Sequence, residues 1–423
     1  MIRFLALMVS LVLLVPSAWA LDELAERYVR LARELGEYDT DYVDAYLGPA
    51  DWREQARDNP RTVEKLAADI TDLLQQLAQY SAESELEKHR LDHLHKNVRA
   101  MDARARMTMG ESFSFATEAR LVYDVELPDY DMDRFDQALA AIDALVPGEG
   151  DLAERVDDFR SQFEIPSDKV ETVFQAAVSE CRRRTEKYIE LPEDERYSLE
   201  LVTGVSWGGY NWYQGDNHSL VQVNLDFPLK IDRAIDLGCH EGYPGHHVWN
   251  MMVENRLLKE RGWIEHSVFP LFSPAALVAE GSGNYGGELA FPGDEKTGFE
   301  REVLFPMAGL DPKLADQLES LNKLTLELGF SRVASMQLYL DGEISREEAI
   351  ERTRKYGLTS RDRAEKSVSF AEQYRSYILN YSVGKALVQA YIERQANGPV
   401  GRWKAFERML VEMPTASELV ASP

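Results

Sequence analysis

His240-Glu241-Gly242-Tyr243-Pro244-Gly245-His246-His247 holds three of the chain's eight histidines within eight residues. A glutamate follows the first of them directly. Neutral imidazoles are ligands for zinc, and an adjacent carboxylate can take a proton from metal-activated water. The pattern therefore points to a hydrolytic metal centre, with His240 as a ligand and Glu241 as the general base. The usual spacing for such a centre is His-Glu-x-x-His, which stacks both imidazoles on one helical face. Here the next histidines come six and seven positions after His240. Pro244 lacks an N–H and would collide with the carbonyl of His240, while Gly242 and Gly245 weaken a helix further. The helix must be bulged or interrupted inside the motif. In an unbroken helix His247 would return to the face of His240, but about 10 Å along the axis. A bulge that absorbs two residues would bring His246 into place instead, leaving His247 to face the substrate or pack behind.

A third ligand is expected downstream. Pro274-Ala275-Ala276-Leu277-Val278-Ala279-Glu280-Gly281 ends an apolar run in a carboxylate, and a buried carboxylate needs a partner such as a metal ion. Asp236 and Glu288 either orient ligands from behind or form ordinary salt bridges. His89, His93, His95, His218 and His266 are scattered and carry no functional expectation. Upstream of the motif, Leu201 to Tyr213 and Ser219 to Leu225 are β-prone around a turn at 214–217, and Pro228 ends the stretch. This reads as a small β-sheet or hairpin beside the active-site helix. Ser219 to Leu225 is either an edge strand that an extended substrate extends, with Asn224 near the metal end, or a purely structural element.

Elsewhere helical periodicity dominates, and the fold class expected is mainly α. Leu24, Tyr28, Leu31 and Leu35 form one stripe, and Leu66, Ile70, Leu73 and Leu77 another. Further helices are expected near 84–109, 131–145, 167–190, 230–241, 246–260, 272–289, 311–340, 345–356 and 360–395. At the N-terminus, Arg3, the apolar run Phe4–Val15 and Ala18-Trp19-Ala20 have the order of a cleavable signal peptide over residues 1–20. That order predicts a mature chain from Leu21, free in the periplasm or secreted, without stable membrane insertion. Residues 21–195 form an N-terminal helical region and 196–423 the catalytic region, within one compact domain. The net charge of −26 argues against a nucleic-acid partner. The only two cysteines, Cys181 and Cys239, exclude a cysteine-rich metal site. They are expected as buried free thiols, although an oxidising compartment would permit pairing.

The central motif resembles the signature of a bacterial family catalogued as domain of unknown function 885, which is grouped with the zincin-like metallopeptidases. Three other stretches agree: Asp41-Tyr42-Val43-Asp44-Ala45-Tyr46-Leu47-Gly48-Pro49, Glu280-Gly281 with Tyr285, and Tyr381-Ser382-Val383-Gly384. The resemblance implies a zincin-like fold with one catalytic zinc held by His240, His246 and Glu280. It implies Glu241 as base and Tyr381 as the donor that stabilises the oxyanion. Where such relatives carry a bulky aromatic after Glu-Gly, this chain has Ser282, followed by Gly283, Gly286 and Gly287, which predicts a smaller or looser pocket wall. The function expected is an exported metallopeptidase acting on a peptide or small amide. The alternatives are a hydrolase of non-peptide amides or esters, and a non-catalytic metal-binding envelope protein. Glu241 and Tyr381 weigh against the last, since a structural zinc site needs neither base nor open position.

Overall fold

The structure, a computed structural model, describes residues 20–205 and 207–421. The expected signal segment therefore lies outside the described residues except for Ala20. Both apolar stripes turn inward, from the helices Leu21–Leu35 and Val63–Gln79. Each buried Leu or Ile side chain stabilises the fold by about 1.5–3 kcal/mol relative to exposure. Thr62 starts the helix Val63–Gln79 and Ser84 the helix Glu85–Thr108, by accepting the N–H groups of Lys65 and Glu87. One cluster of buried side chains runs from Leu21 to Leu419 and draws on residues from both the 21–195 and 196–423 regions. A smaller cluster joins Phe135, Ile142 and Val156 to Leu321 and Leu328.

Two expected long helices are broken. The 311–340 stretch forms Ala315–Leu326 and Ser331–Leu340. The 360–395 stretch ends its first helix at Tyr374, and Arg375 takes a positive φ of 49°. A tight turn at Arg375–Ile378 and a wide one at Asn380–Gly384 precede the helix Lys385–Gln395. The break has a distant cause. Arg375 Nε donates to Glu118 at 2.6 Å, and the Ser376 hydroxyl donates to the same carboxylate at 2.6 Å. Glu118 is buried, so these charge-assisted bonds override helix propensity.

The described residues contain five short strands: β1 (Val43–Tyr46), β2 (Arg196–Val202), β3 (Gly209–Gly215), β4 (His218–Asn224) and β5 (Val268–Pro270). β1 pairs antiparallel with β5, and the other three form a sheet in the order β2-β4-β3. β2 runs parallel to β4 and β3 antiparallel to it, the latter through a two-residue turn at Asp216-Asn217 with φ of 49° and 57°. The segment Ser219 to Leu225 was expected as a possible edge, but β4 is paired on both sides and has no free edge. Asn224 is likewise structural, donating to the carbonyls of Val205 and Trp207 at 3.1 and 2.8 Å. The open edge beside the motif belongs to β3, which packs against the turn at Gly238–Gly242 and the helix His246–Met252.

The cysteines also differ from expectation. Cys181, on the helix Val170–Thr185, and Cys239 have Cα atoms 5.6 Å apart and form a disulfide rather than free thiols. Packing of that helix against the motif brings them together from 58 positions apart.

Candidate metal centre

The motif folds as the proline and glycines require. The helix Asp232–Leu237 widens into a turn over Gly238–Gly242, in which the N–H of Tyr243 reaches back to the carbonyl of Gly238 at 3.3 Å. Tyr243–Pro244 is cis. The Gly245 N–H then donates to the Cys239 carbonyl at 2.9 Å, and a new helix starts at His246. Gly245 is the enabling residue, because a Cβ there would stand 1.9 Å from the carbonyl oxygen of His240. The chain doubles back so closely that the His240 and His246 rings lie edge to face with centroids 4.5 Å apart.

His247 points the other way. It is fully buried, with Nδ1 2.8 Å from Ser219 Oγ on β4 and Nε2 2.8 Å from Glu195. Tyr243 donates its hydroxyl hydrogen to that same Glu195, and Arg182 pairs with it at 2.8 Å.

Glu280 reaches the two imidazoles from the helix Pro274–Ala290, with Oε2 3.5 Å from His240 Nε2 and Oε1 3.9 Å from His246 Nε2. The Tyr377 hydroxyl donates to Oε1 at 2.7 Å, whereas Oε2 is buried without a hydrogen-bond partner. Glu241 stands beside them, with Oε1 3.9 Å from His240 Nε2. Ligating atoms of His240, Glu241 and His246 all lie within 4.8 Å of one another. The Glu241 carboxylate packs on Gly209 of β3, where a Cβ would meet Oε1 at 3.2 Å, and its carbonyl accepts from Asn211 at 2.6 Å.

Two glycines explain why Glu280-Gly281 and Tyr381-Ser382-Val383-Gly384 belong together. A Cβ on Gly281 would lie 2.5 Å from the Gly384 carbonyl oxygen, and one on Gly384 would lie 2.6 Å from that of Leu277. Only bare backbone permits this crossing, which sets Glu280 and Tyr381 on one cavity wall. Ser282 and the following glycines do not loosen that wall. Ser282 is buried and donates to the Ala279 carbonyl at 2.9 Å. A Cβ on Gly283 would sit 2.9 Å from His240 Nδ1, and one on Gly286 3.2 Å from Pro244. These glycines seat the motif against the helix.

Burial sets the protonation states. It holds the His240 imidazole well below its usual range, with His246 adding to the effect, and lowers His246 to about 4. Both rings are neutral and able to donate lone pairs. The Glu241 carboxyl is pushed up by burial and then by Glu280, and Glu280 is pushed up by burial and Asp44 against the opposing bond from Tyr377. Two buried carboxyls beside neutral imidazoles are an arrangement that a cation would stabilise. Tyr381 is held well above its usual range by burial and by Glu280, so its hydroxyl keeps its proton.

The remaining candidates are paired with lysines. Asp236 pairs with Lys296 at 3.0 Å, and Glu288 with Lys385 at 2.6 Å. Asn284 stands beside the His240 imidazole, and its amide donates to the Glu280 carbonyl at 2.9 Å. Asn284 and Tyr377 were not singled out in the sequence. Tyr377 lies one helical turn before Tyr381, and that spacing was the available signal.

The cluster opens into a cavity of about 920 Å³, lined by β3 and by Asp44, Phe269, Phe370, Tyr374 and Tyr381. Among the described residues no helix is long and apolar enough to cross a membrane. No protein-family model matches the chain, and no curated protein matches it. Among solved structures, it is similar to one described as a candidate lipoprotein from Colwellia psychrerythraea, at 12% identity and a TM-score of 0.54, covering 95% of this chain and 75% of that one. A candidate lipoprotein of unknown function from Shewanella oneidensis matches at 14% identity and a TM-score of 0.44, covering 94% and 80%. An M32 carboxypeptidase from Deinococcus radiodurans R1 matches at 13% identity and a TM-score of 0.39, covering 93% and 90%. The first match shows a shared, mainly helical fold over most of the chain. The other two are too distant in shape to bear on function.

Proposed function

We propose that this chain is a zinc-dependent hydrolase of peptide bonds with a zincin-like centre, as its motif resemblance to domain of unknown function 885 implies. The observation that carries the reading is the orphaned Glu280 Oε2, buried without a partner 3.5 Å from the neutral His240 imidazole, while Oε1 of the same carboxylate lies 3.9 Å from His246. His240, His246 and Glu280 would hold the ion. Both Glu241 and Glu280 lie near His240, but Glu280 alone combines an orphaned oxygen with a second oxygen clamped by Tyr377. Zinc bound there would polarise a carbonyl and acidify water, the chemistry that amide hydrolysis needs.

The chain's own residues supply the rest. Glu241, on the cavity side of the histidines, takes a proton from water and returns it to the leaving amine. The Tyr381 hydroxyl donates to the developing oxyanion. Asn284 orients His240, and Tyr377 orients Glu280. The Asn224 N–H bonds the Gly208 carbonyl at 3.0 Å, so along β3 the backbone groups of Gly209, Asn211 and Tyr213 face away from β4. They offer an extended peptide an antiparallel partner inside the cavity. A cavity of about 920 Å³ suits a peptide of a few residues rather than a folded protein. Export is supported by the Cys181–Cys239 disulfide, since disulfides form and persist mainly in oxidising compartments.

Digestion of a peptide library by the purified protein, with and without chelator and with zinc restored, tests the proposal. Zinc-dependent cleavage is expected. Cleavage of acylated amines or esters but no peptide would move the assignment to a non-peptide hydrolase, and no turnover at all would refute catalysis.

A further inference from the structure

Asp44, on β1, projects into the cavity from the wall formed by the Asp41–Pro49 segment. Its carboxylate accepts a hydrogen bond from Tyr210 on β3, and among the described residues it has no ion-pair partner. It is open to the cavity, as its exposed side chain shows, yet burial by the surrounding protein pushes its carboxyl up. A carboxylate in that position lacks the counter-charge that such groups normally have.

Its neighbours are aromatic. Tyr210 packs between Trp207 and Trp212, with ring centroids 5.6 and 4.5 Å away. The Tyr374 hydroxyl is pushed up by burial and then by Asp41 and Asp44, and its ring packs tilted against Phe370 with centroids 4.5 Å apart. Asp41 lines the same cavity, but among the described residues Asp44 belongs to no group of three metal-ligating side chains, so the position is poor in metal ligands. It is well matched to an organic ammonium, which wants one charged acceptor and aromatic faces.

We infer that Asp44 and Tyr210 form a subsite for a cationic amine of the substrate, close to the bond that is cut. The inference rests on the proposed hydrolysis of peptides and names the substrate class. Tyr210 follows Gly209, the residue against which the Glu241 carboxylate packs. The amine therefore belongs to a residue next to, or very near, the reacting carbonyl. A free α-amino terminus and a lysine side chain carry the same chemistry, and the test separates them.

The experiment compares three kinds of peptide of equal length: an alanine peptide with a free N-terminus, its N-acetylated form, and a set of N-acetylated forms with one lysine at each position in turn. Values of kcat/KM are measured for the wild type and for Asp44→Asn, with zinc content checked in both. A charge-assisted bond in a partly enclosed site should favour an amine-bearing peptide over acetylated polyalanine by about 10- to 100-fold. Preference for the free terminus identifies the α-amino group, and preference for the lysine peptide identifies the side chain. In Asp44→Asn the preference should collapse towards parity. Equal rates for all three peptides in the wild type, or an undiminished preference in the variant, would overturn the inference while leaving hydrolysis intact. A second equivalent of zinc bound by the wild type but not by the variant would overturn it in favour of a metal ligand. Should no peptide be cleaved, the hydrolase reading fails separately. Calorimetric binding of the same peptides then decides the subsite, with equal affinities refuting it. If Asp44→Asn misfolds, Tyr210→Phe, which removes only the supporting hydroxyl, replaces it and should reduce the preference in the same sense.

Discussion

Replacing Gly245 with alanine tests the backbone geometry that carries His246 to His240. The added methyl group would stand 1.9 Å from the carbonyl oxygen of His240 and 2.4 Å from that of Cys239, both backbone atoms. Carbon–oxygen contacts normally begin near ~3.3 Å, so the loop must open by about 1.4 Å. Overpacking of this kind costs about 3 kcal/mol where the backbone itself has to move. Unfolding entropy of ~2.1 cal/mol/K per residue, over roughly 400 residues, is ~0.8 kcal/mol/K, so Tm should fall by about 4 °C. His246 is the next residue, and its ring centroid lies 4.5 Å from that of His240, so the same shift separates the two imidazoles. Zinc affinity should drop by about 10²-fold, as when the support of a ligand is lost. Scanning calorimetry of the apoprotein and zinc titration against a competing chelator measure the two effects. Gly298→Ala is the control, since nothing lies within 4 Å of its added Cβ. Gly298 lies in the helix Glu295–Phe299, where alanine should be neutral or stabilising by up to ~1 kcal/mol. Wild-type melting and unchanged zinc affinity in Gly245→Ala would refute the reasoning. Lower Tm with unchanged affinity would keep the packing argument and remove His246 from the metal.

Four further outcomes are expected. Glu241→Gln keeps the shape and the metal but loses the proton acceptor, so kcat should fall by roughly 10³-fold at unchanged zinc content, and comparable turnover would remove it as base. Tyr381→Phe should lower kcat by about 10²-fold with little change in KM; a change confined to KM would make it a ground-state contact. His246→Ala should lose zinc while His247→Ala keeps it and is destabilised through its Ser219 and Glu195 partners; metal analysis showing the reverse would exchange their roles. His93 and His266, with ring centroids 5.3 Å apart, are each lowered by burial to about 3. An unfolded histidine binds its proton near pH ~6.5 while these native ones stay neutral, so each removes about 1.4 kcal/mol per pH unit as pH falls from ~6.5 towards 3. His266→Gln should flatten that acid slope of stability, and an unchanged slope would refute it.

Much of the helical body was legible because its signal is local. Leu24, Tyr28, Leu31 and Leu35 recur with the period of one helix and are buried by whatever helix packs there. The interruption of the motif was legible for the same reason, since Gly242, Pro244 and Gly245 contradict a helix whatever surrounds them. The break after Tyr374 was not, because its cause is Glu118, more than 250 positions away. Strand order was equally hidden: the β-prone residues of 219–225 are no different on an edge or in the centre, and only pairing on both sides takes the edge away from β4 and leaves it to β3. Cys181 and Cys239 could be read as thiols until the packing of their helices brought them within bonding reach.

The sequence by itself determined a mainly helical chain, a broken motif with histidines and a glutamate, and an acidic residue ending an apolar helix downstream. Tertiary structure alone decided which histidine stands beside His240 and which is buried against Ser219 and Glu195. It also decided that Tyr377 clamps Glu280, and that Asp44 faces the same cavity from a strand near the other end of the chain. The reason is physical. Residue type and periodicity act over a few positions, whereas the close crossing of Gly281 with Gly384 and the facing of β1 and β3 arise only when segments more than a hundred residues apart exclude water together.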